Sequence, residues 1–479
     1  KIMTYIYLAN IVSYDIFILL LKKAKSISRG GTSCLNSLKR SAKLAQNLLL
    51  KICANLIGFL KEIIFSPTFL ERHRRTSKDF IRERILPFHT VIFFLTNLIK
   101  GSIQDELDYF FKSLQEKNIA ERNVTKSAFT KARKKLRHQA FIELGQHLIS
   151  FFYDHFTYRR WNGFRLLTID GSTLQVPRSE EVAAHFGMWH PNGGGKCPMA
   201  RISYLSDALN GVTIDALICP KEIGERILAA EHMKNVTSGD LLLMDRGYPA
   251  FWLFALILSK GANFCSRIKE AHWDVVRDFF LSGDQEQIVT IHPSPSSLVK
   301  CRGFNLPSAP FQVRLIRAEL KTGKTEILVT SLMDNQLYPH EIFKDLYRLR
   351  WAAEENYKTA KHRVEIENFS GKSVESVYQD FHAKTFTMNL SAVLSHPAQD
   401  VVTENSEFKK HTYKINASQA LSKIKDSIVL LFSRNNVWDL LHKLFNIFVK
   451  TIEPVRPGRI YPRNHKPRGG FYPSYKPIR

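Results

Sequence analysis

Cysteine is scarce in this chain and follows no recognisable pattern. The 479 residues include six cysteines, which are far apart, with no CxxC pair and no grouping with histidine. They are Cys34, Cys53, Cys197, Cys219, Cys265 and Cys301. This distribution excludes the disulfide framework of a small secreted domain and gives no zinc-binding motif. A reducing compartment is therefore expected, and we predict a cytoplasmic protein.

The sequence also lacks a clear membrane segment and a nucleotide-binding loop. The apolar run at residues 5–21 is interrupted by Asn10 and Asp15, and no small-residue cleavage site follows it. It therefore predicts neither a membrane span nor an export signal. The G-G-G-K stretch ending at Lys196 is followed by Cys197 rather than Ser or Thr, and its upstream spacing does not fit a phosphate-binding loop. We expect no membrane association and no nucleotide cofactor.

Acidic residues are few relative to basic ones. The chain has 44 Asp and Glu against 69 Lys and Arg, a net charge of +25. An excess of this size predicts a polyanionic partner. Nucleic acid is the leading candidate, and a membrane surface or the ribosome is the alternative. The last 25 residues contain five prolines, seven Lys or Arg and no acid, which predicts an extended basic arm with interleaved aromatic residues.

Composition and periodicity divide the chain into five predicted regions. They are a helical leader (1–65), a helical region (66–158), an α/β region (159–395) with a β-rich insertion at about 270–335, a helical C-terminal region (396–454) and a basic tail (455–479). The leader begins with Lys1 rather than Met, so its true start and its role are uncertain.

Two amphipathic segments within 66–158 resemble a helix-turn-helix. Residues 102–114 follow a plausible cap at Ser102, and residues 125–137 carry apolar positions on one face and cations on the others. The cations are Lys126, Lys131, Arg133, Lys134, Lys135 and Arg137. In one interpretation the second helix enters a nucleic-acid groove. In the other it is a basic surface helix that touches only phosphates.

From Arg165 onward the periodicity changes from helix to strand. The predicted strands are 165–176, 200–206, 211–219, 240–245 and 263–268, and the predicted helices are 226–235 and 250–259. Three strands, a helix, a strand, a helix and a strand predict a mixed α/β layer fold. This order is that of a ribonuclease-H-like core. The insertion is predicted from three further β-rich stretches, at 287–291, 311–319 and 326–331.

Two acids interrupt or end intensely apolar strands. Asp170 lies in R-L-L-T-I-D-G-S, and Asp245 ends D-L-L-L-M-D and is followed by R-G-Y. An uncompensated buried carboxylate costs several kcal/mol, so each acid must have a partner. A divalent metal is one such partner. The alternatives are a local turn in which Asp170 caps the backbone, and an ion pair between Asp245 and Arg246.

A second charged pattern lies in residues 347–361, Y-R-L-R-W-A-A-E-E-N-Y-K-T-A-K. The segment has no Gly or Pro and is rich in helix formers, so it predicts one helix. Four residues at about 100° per residue then share one face: Tyr347, Arg350, Glu354 and Lys361. A solvated charged face is the simpler interpretation. In the other interpretation the carboxylate of this face binds a divalent metal. Glu355 lies about 100° around the helix from the face, so Glu354 is the candidate metal ligand.

Together these residues resemble a known family. Asp170, Asp245 and Glu354, with the spacing Y-x2-R-x3-E-x6-K, are similar to the insertion-sequence DDE transposases that carry a Y-R-E-K signature. The stretches D-G-S-T at 170–173 and D-R-G-Y at 245–248 also fit. The resemblance covers roughly residues 82–463. It implies a ribonuclease-H-like catalytic domain in which Asp170, Asp245 and Glu354 hold two Mg²⁺ or Mn²⁺ ions.

The resemblance also implies partners and roles. Family members cut at transposon ends and join those ends to target DNA, often through a hairpin, so double-stranded DNA and a homodimer are expected. Arg350 and Lys361 would clamp phosphates, and Tyr347 would lie against the DNA end. Trp273 is a candidate for stacking on a flipped base, with burial in the insertion's own core as the alternative. Arg246 would reach a phosphate or pair with Asp245.

The same residues leave two other functions open. One is a catalytically silent DNA-binding protein descended from a transposase, and the other is a structure-specific nuclease on the same fold. The intact acids and signature positions favour the enzyme. On this interpretation the protein is expected to be associated with the nucleoid.

Overall fold

The protein is described by a computed structural model that covers residues 32–82, 85–189, 195–319, 325–406 and 409–456. The apolar run at 5–21, the first two glycines of the G-G-G-K stretch and the basic tail after Arg456 lie outside these residues. One compact unit runs from Arg159 to Lys361, and the other combines the segments that precede and follow it. None of the described helices is long and apolar enough to cross a membrane.

Helices make up the described chain before Arg159. They are α1 (Thr32–Phe65), α2 (Pro67–His73), α3 (Phe88–Thr96), α4 (Ile103–Leu114), α5 (Lys126–Arg133) and α6 (Gln139–His155). The helix predicted at 125–137 is thus one turn shorter than expected. Thr125 caps its start by accepting a hydrogen bond from the Ala128 N–H. Its predicted last turn is replaced by extended pairing, in which the Arg75 N–H donates to the Lys135 carbonyl at 2.9 Å.

The Arg159–Lys361 unit contains a nine-stranded sheet in its described residues. The strands are β1 (Arg165–Gln175), β2 (Met188–Trp189), β3 (Cys197–Asp207), β4 (Thr213–Pro220), β5 (Asp240–Met244), β6 (Asn263–Ile268), β7 (Glu286–Ile291), β8 (Phe311–Glu319) and β9 (Thr325–Thr330). Their order is β2-β3-β1-β5-β6-β9-β8-β7, with β4 paired to β3. Strands β1, β5 and β6 are parallel, and their neighbours pair antiparallel. The predicted mixed α/β fold is confirmed.

Helices cover both faces of this sheet. They are α7 (Glu180–Phe186), α8 (Glu225–His232), α9 (Phe251–Ser259), α10 (Asp274–Ser282), α11 (Pro295–Gly303), α12 (Ile342–Arg348) and α13 (Trp351–Lys358). Successive residues of β1 enter different cores: Leu167 packs in the core that contains α9, and Leu166 packs in the core that contains α12. Burial on both faces explains why β1 and β5 are almost wholly apolar up to their acids.

The segment predicted as a separate β-rich insertion is part of the main sheet. Its three strands, β7 to β9, lie close to the predicted bounds, but β9 pairs antiparallel with β6 and so extends the sheet. Two helices that the sequence reading missed, α10 and α11, lie between the strands. Helix α10 ends at Gly283, whose φ of 80° is the left-handed cap conformation. Helix α11 starts with a Ser294 cap and Pro295 in its first turn.

The chain after Lys361 returns to helices. They are α14 (Val374–Asn405), α15 (Ala417–Ser433) and α16 (Trp438–Lys450), with a short hairpin of β10 (Tyr413–Ile415) and β11 (Ile452–Pro454). Helix α14 starts with a Ser373 capping box and continues past Pro397, so it runs through the predicted region boundary at 395. Where functional domains begin and end stays a prediction.

Candidate active site

Two acids lie side by side where β5 ends. The parallel register pairs Thr168 of β1 with Leu243 of β5, and two residues further along are Asp170 and Asp245. Because side chains two residues apart in a strand share a face, this register aims both carboxylates to the same side. Strand β1 continues past Asp170 because it is still paired with β3, where Asp170 lies opposite Tyr204.

Each of these carboxylates is only partly satisfied by the protein. Asp170 Oδ1 accepts a hydrogen bond from the Gly171 N–H at 2.9 Å, and Asp245 Oδ1 accepts one from the Gly247 N–H at 2.7 Å. Within the described residues, Oδ2 of each has no hydrogen-bond donor, and Arg246 is exposed and forms no ion pair with Asp245. The local turn predicted as the alternative for Asp170 is therefore present, and the ion pair predicted as the alternative for Asp245 is absent from the described residues. In both acids one carboxylate oxygen stays available.

The environment of Asp170 disfavours its charge. Burial raises the pKa of Asp170 to about 6, the Gly171 N–H and the Arg350 guanidinium act to lower it, and the nearby carboxylates of Asp245 and Glu225 raise it further. A buried acid beside two like charges is what a divalent cation would relieve.

The segment predicted as one helix is broken, and that prediction is wrong. Helix α12 ends at Arg348, α13 begins at Trp351, and a π-helical turn occupies Thr359–Arg363. Between the two helices the bonds are of the tighter i to i+3 kind: the Arg350 N–H donates to the Tyr347 carbonyl at 3.1 Å. Packing of Tyr347 in the α12 core accompanies this tightening, and helix propensity alone does not register such packing.

The break changes where the four signature residues lie. The Tyr347 ring is buried, and its hydroxyl has no hydrogen-bond partner in the described chain. Arg350 is only 7% exposed, and its Nη2 donates to Glu354 Oε1 at 3.0 Å. The neighbouring Glu355 is exposed and pairs with Lys358 at 2.6 Å.

Arg350 interacts electrostatically with both Glu354 and Asp170. Burial lowers the pKa of Arg350, but Tyr347, Glu354 and Asp170 raise it, and it ends above its usual value. The guanidinium therefore lies in the field of both Asp170 and Glu354. The Trp351 ring is half exposed, and its centroid is 5.8 Å from the guanidinium carbon.

Three side chains of the segment 351–361 bond to β1 and β3; of these, Lys361 was a predicted site residue, and Tyr357 and Asn356 were missed. Tyr357 Oη donates to the Asp170 carbonyl at 2.6 Å, and Lys361 Nζ donates to Ser172 Oγ at 2.6 Å. Asn356 Nδ2 donates to Ser206 Oγ at 2.8 Å. Tyr357 lies three residues after Glu354, a spacing that puts both on one side of a helix.

Comparison with known proteins finds a family match over part of the chain and two related transposases. Residues 161–390 match the family model described as the transposase DDE domain. The chain is 23% identical over 361 residues to the transposase InsG of insertion sequence element IS4 from Escherichia coli (strain K12), covering 73% of this chain and 78% of that protein. It is 20% identical over 331 residues to the transposase of element IS231B from Bacillus thuringiensis subsp. berliner, covering 59% and 67%. The family match and these relatives support an insertion-sequence DDE transposase.

A solved structure is also similar to this chain. It is the piggyBac transposase synaptic complex with hairpin DNA, determined by cryo-EM. The TM-score is 0.44 at 10% sequence identity, with 86% of this chain and 88% of that chain covered.

The donor set of the candidate site suits a hard divalent cation. Asp170, Asp245 and Glu354 offer carboxylate oxygens, the ligands that Mg²⁺ and Mn²⁺ prefer. Among the described residues, no three His, Cys, Asp or Glu side chains are close enough as they stand to hold an ion. The two aspartates are adjacent, and Glu354 is held by Arg350. The residues therefore fit a metal site once Glu354 exchanges Arg350 for the cation.

The cations predicted to bind DNA do not all face solvent. Lys126, Lys131, Lys134 and Lys135 are exposed around α5, and Arg133 is only 4% exposed. The placement of Arg133 on a DNA-facing surface is wrong, because its guanidinium bonds to side chains of α14, including Asp380 at 2.9 Å. Sequence periodicity gave no sign of that partner, 247 residues away.

Trp273, the predicted base-stacking residue, lies against the main core. It immediately precedes α10, is partly buried, and meets the Phe254 ring of α9 edge-on with centroids 6.2 Å apart. The packing is structural, as in the alternative, but it is against a helix outside the predicted insertion and not in the insertion's own core. A role in base stacking stays a prediction.

Proposed function

We propose that this chain is a DNA transposase that binds the terminal inverted repeats of its element and catalyses metal-dependent DNA cleavage and strand transfer. The reaction would follow a cut-and-paste route, in which a DNA hairpin on the transposon end is one form of intermediate. The observation that carries the proposal is the adjacent pair of partly satisfied acids, Asp170 and Asp245, which lie just beyond the parallel pairing of β1 with β5, in the region that matches the transposase DDE domain.

A ribonuclease-H-like catalytic core is part of the proposal. It is supported by the order of the central elements: antiparallel β4, β3 and β1, then α8, β5, α9 and β6, with β5 and β6 parallel to β1. In this arrangement the acids of β1 and β5 come from neighbouring strands. That adjacency is what a two-ion site for phosphodiester chemistry requires.

Asp170, Asp245 and Glu354 would hold two Mg²⁺ or Mn²⁺ ions. Bound there, the ions would activate the attacking oxygen and stabilise the leaving oxygen of the phosphodiester. The protein's own part is to deliver deprotonated Asp170, because a carboxylate must lose its proton to become a ligand. Tyr357 fixes the backbone of Asp170 through its carbonyl. Arg350 and Lys361 would turn their charges to DNA phosphates.

Double-stranded DNA is the proposed partner, as transposon ends and as target. The exposed lysines around α5 and the net charge of +25 support phosphate contacts. Joining two ends requires two active sites, so a homodimer in the nucleoid is the proposed assembly. No nucleotide cofactor is proposed, since the reaction exchanges one phosphodiester for another.

A cleavage assay on the element's own ends tests this function. The full chain is incubated with a duplex carrying the terminal repeats, with Mg²⁺ or with EDTA, beside the Asp170→Asn variant. We expect nicking and joined products only with wild-type protein and metal. Metal-independent cutting, or full activity in the variant, would contradict the proposal. Repeat binding without cleavage would indicate the silent DNA-binding protein, and cutting of branched DNA without a repeat would indicate the nuclease.

A further inference from the structure

A fourth carboxylate lies against the acid strand. Glu225, the first residue of α8, packs directly on Gly171, which follows Asp170. A methyl group built at Gly171 would lie 2.8 Å from Glu225 Cδ and Cγ and 3.0 Å from Oε1. The backbone at Gly171 does not have a positive φ, so glycine is needed there for space and not for conformation. The missing side chain is what lets the Glu225 carboxylate reach β1.

Glu225 is paired with a cation in the same way as Glu354. Arg201 of β3 donates from Nη1 to Glu225 Oε1 at 2.6 Å, and its Nε donates to the Lys221 carbonyl at 3.1 Å. On the other side of the aspartates, Arg350 holds Glu354. Each outer glutamate thus has one arginine, and the two central aspartates have none in the described chain.

A buried hydroxyl without a hydrogen-bond partner lies near these acids. Tyr248, three residues after Asp245, is 1% exposed, and its Oη has no hydrogen-bond partner in the described part of the protein. Burial, and then the charges of Asp170, Glu225 and Asp245, raise the pKa of Tyr248. The hydroxyl therefore lies in the field of three carboxylates. A buried donor without an acceptor is unfavourable, and an ordered carboxylate or a metal-bound water would supply the acceptor.

We infer that Glu225 is a fourth oxygen ligand of the divalent-metal site, and that the Tyr248 hydroxyl positions it. This inference rests on the proposed function, because it assumes that Asp170 and Asp245 bind metal. Four carboxylates match the charge of two dications, whereas three leave an excess of positive charge. In the metal-free protein, Arg201 supplies positive charge at Glu225 and Arg350 supplies it at Glu354, in place of the metal ions.

A Mn²⁺ titration without DNA tests the inference independently of catalysis. Binding is measured by calorimetry, with free Mn²⁺ followed by electron paramagnetic resonance, for the full wild-type chain and for Glu225→Gln, Glu231→Gln and Asp170→Asn. Glu231 is an exposed acid on the same helix and serves as the matched control. We expect Glu225→Gln to weaken binding of at least one ion by about 10- to 100-fold, the range seen even for residues that only support a ligand. The control should bind as wild type does.

Displacement of Glu225 without loss of its charge gives a second route. In Gly171→Ala the new methyl group would push the Glu225 carboxylate off β1. We expect weaker Mn²⁺ binding in this variant, and no further weakening when Gly171→Ala is added to Glu225→Gln. Tyr248→Phe should give a smaller loss in the same direction.

The outcomes separate the two proposals. If Asp170→Asn abolishes Mn²⁺ binding while Glu225→Gln and Gly171→Ala bind as wild type does, the fourth ligand is overturned and the proposed function stands. If Asp170→Asn binds Mn²⁺ normally, the metal site itself is overturned. Thermal unfolding in EDTA shows that each variant is folded before it is titrated.

Discussion

Asp170 and Asp380 are both aspartates removed from water near an arginine, yet the protein satisfies only one of them. Asp380 of α14 bonds to the Arg133 guanidinium at 2.9 Å and to the N–H and hydroxyl of Ser370. Asp170 has a single backbone N–H donor at its carboxylate, and its pKa is raised to about 6.

The difference between these two sites separates structure from function. Arg133 uses all three of its nitrogens within the protein, on Gln379, Ser370, Ser376 and Asp380. A network with every member satisfied stabilises the fold and has no capacity for a ligand. The acid site instead retains unmet charge, and such strain is tolerated where it serves binding or catalysis. Substitutions should therefore reduce activity at one site and stability at the other.

The largest expected effect is on cleavage by Glu354→Gln. Removal of one charged group that acts in the transition state costs at least about 10²- to 10³-fold in rate. Glu355→Gln, one residue away but exposed and paired with Lys358, should stay within about twofold of wild type in the same assay. Both variants should unfold at nearly the wild-type temperature. Equal losses in the two variants would remove Glu354 from the site.

Asp380→Asn should show the opposite behaviour. It leaves the Arg133 guanidinium buried without its charge partner, which costs about 3–5 kcal/mol. Hydrogen exchange of α14 peptides measures this loss locally. Glu116→Gln, which breaks an exposed pair with Arg434 at 3.0 Å, is the control and should cost under about 1 kcal/mol. Unchanged protection in α14 would mean that the network is not structural.

Asp170 should also differ in its response to pH from Glu375, a charge-paired carboxylate of the other unit. The folded-state pKa of Asp170 is raised from 3.8 to about 6, so the folded protein keeps a proton that the unfolded chain has already released. The contribution of Asp170 to the free energy of unfolding therefore falls as pH rises from about 4 to 6, by roughly 3 kcal/mol at 1.36 kcal/mol per pKa unit. Above that pH the contribution is constant. In the other unit, burial raises the pKa of Glu375, but His138 and Arg75 lower it below its usual value. That carboxylate therefore contributes stability that is lost on acidification below about pH 4.5.

The pH prediction is measured as a difference between two proteins. Urea unfolding of wild type and Asp170→Asn in EDTA, from pH 4 to 8, cancels the contribution of every other group. The variant should gain on wild type by about 2–3 kcal/mol between pH 4 and 6.5, after which the gap should stay constant. A gap that does not change with pH would show that Asp170 carries no penalty in the metal-free protein.

Sequence patterns predicted the structure correctly where no tertiary contact opposed the local preference of the residues. A carboxylate inside an apolar strand is visible without coordinates, so Asp170 and Asp245 could be selected. Strand periodicity predicted β1, β3, β4, β5 and β6 in order and missed the short β2. Glu225 and Tyr357 were missed because neither interrupts a pattern. Each reaches Asp170 or its neighbour only through the packing of a helix on the sheet.

The sequence misled where tertiary packing overrides local preference. Helix formers at 347–361 predicted one regular helix, but burial of Tyr347 and the Arg350 contact accompany a tightened turn. The sequence could not distinguish Arg133 from its exposed neighbours, because a cation among other cations gives no indication that it pairs with a distant acid. A basic helix therefore predicts an electrostatic surface better than it predicts which of its residues form that surface.

The smallest expected effect tests that last point with two neighbouring residues. Lys134 is exposed and Arg133 is buried, so Lys134→Gln should weaken binding to a repeat duplex a few-fold and lower the slope of log affinity against log salt by about 0.9. Its unfolding temperature should not change, since the side chain makes no buried contact. Arg133→Gln should instead destabilise α14, as Asp380→Asn does, with no change in the salt slope of the protein that remains folded. A reduced salt slope in Arg133→Gln, at wild-type stability, would return Arg133 to the DNA surface and remove the contrast between the two sites.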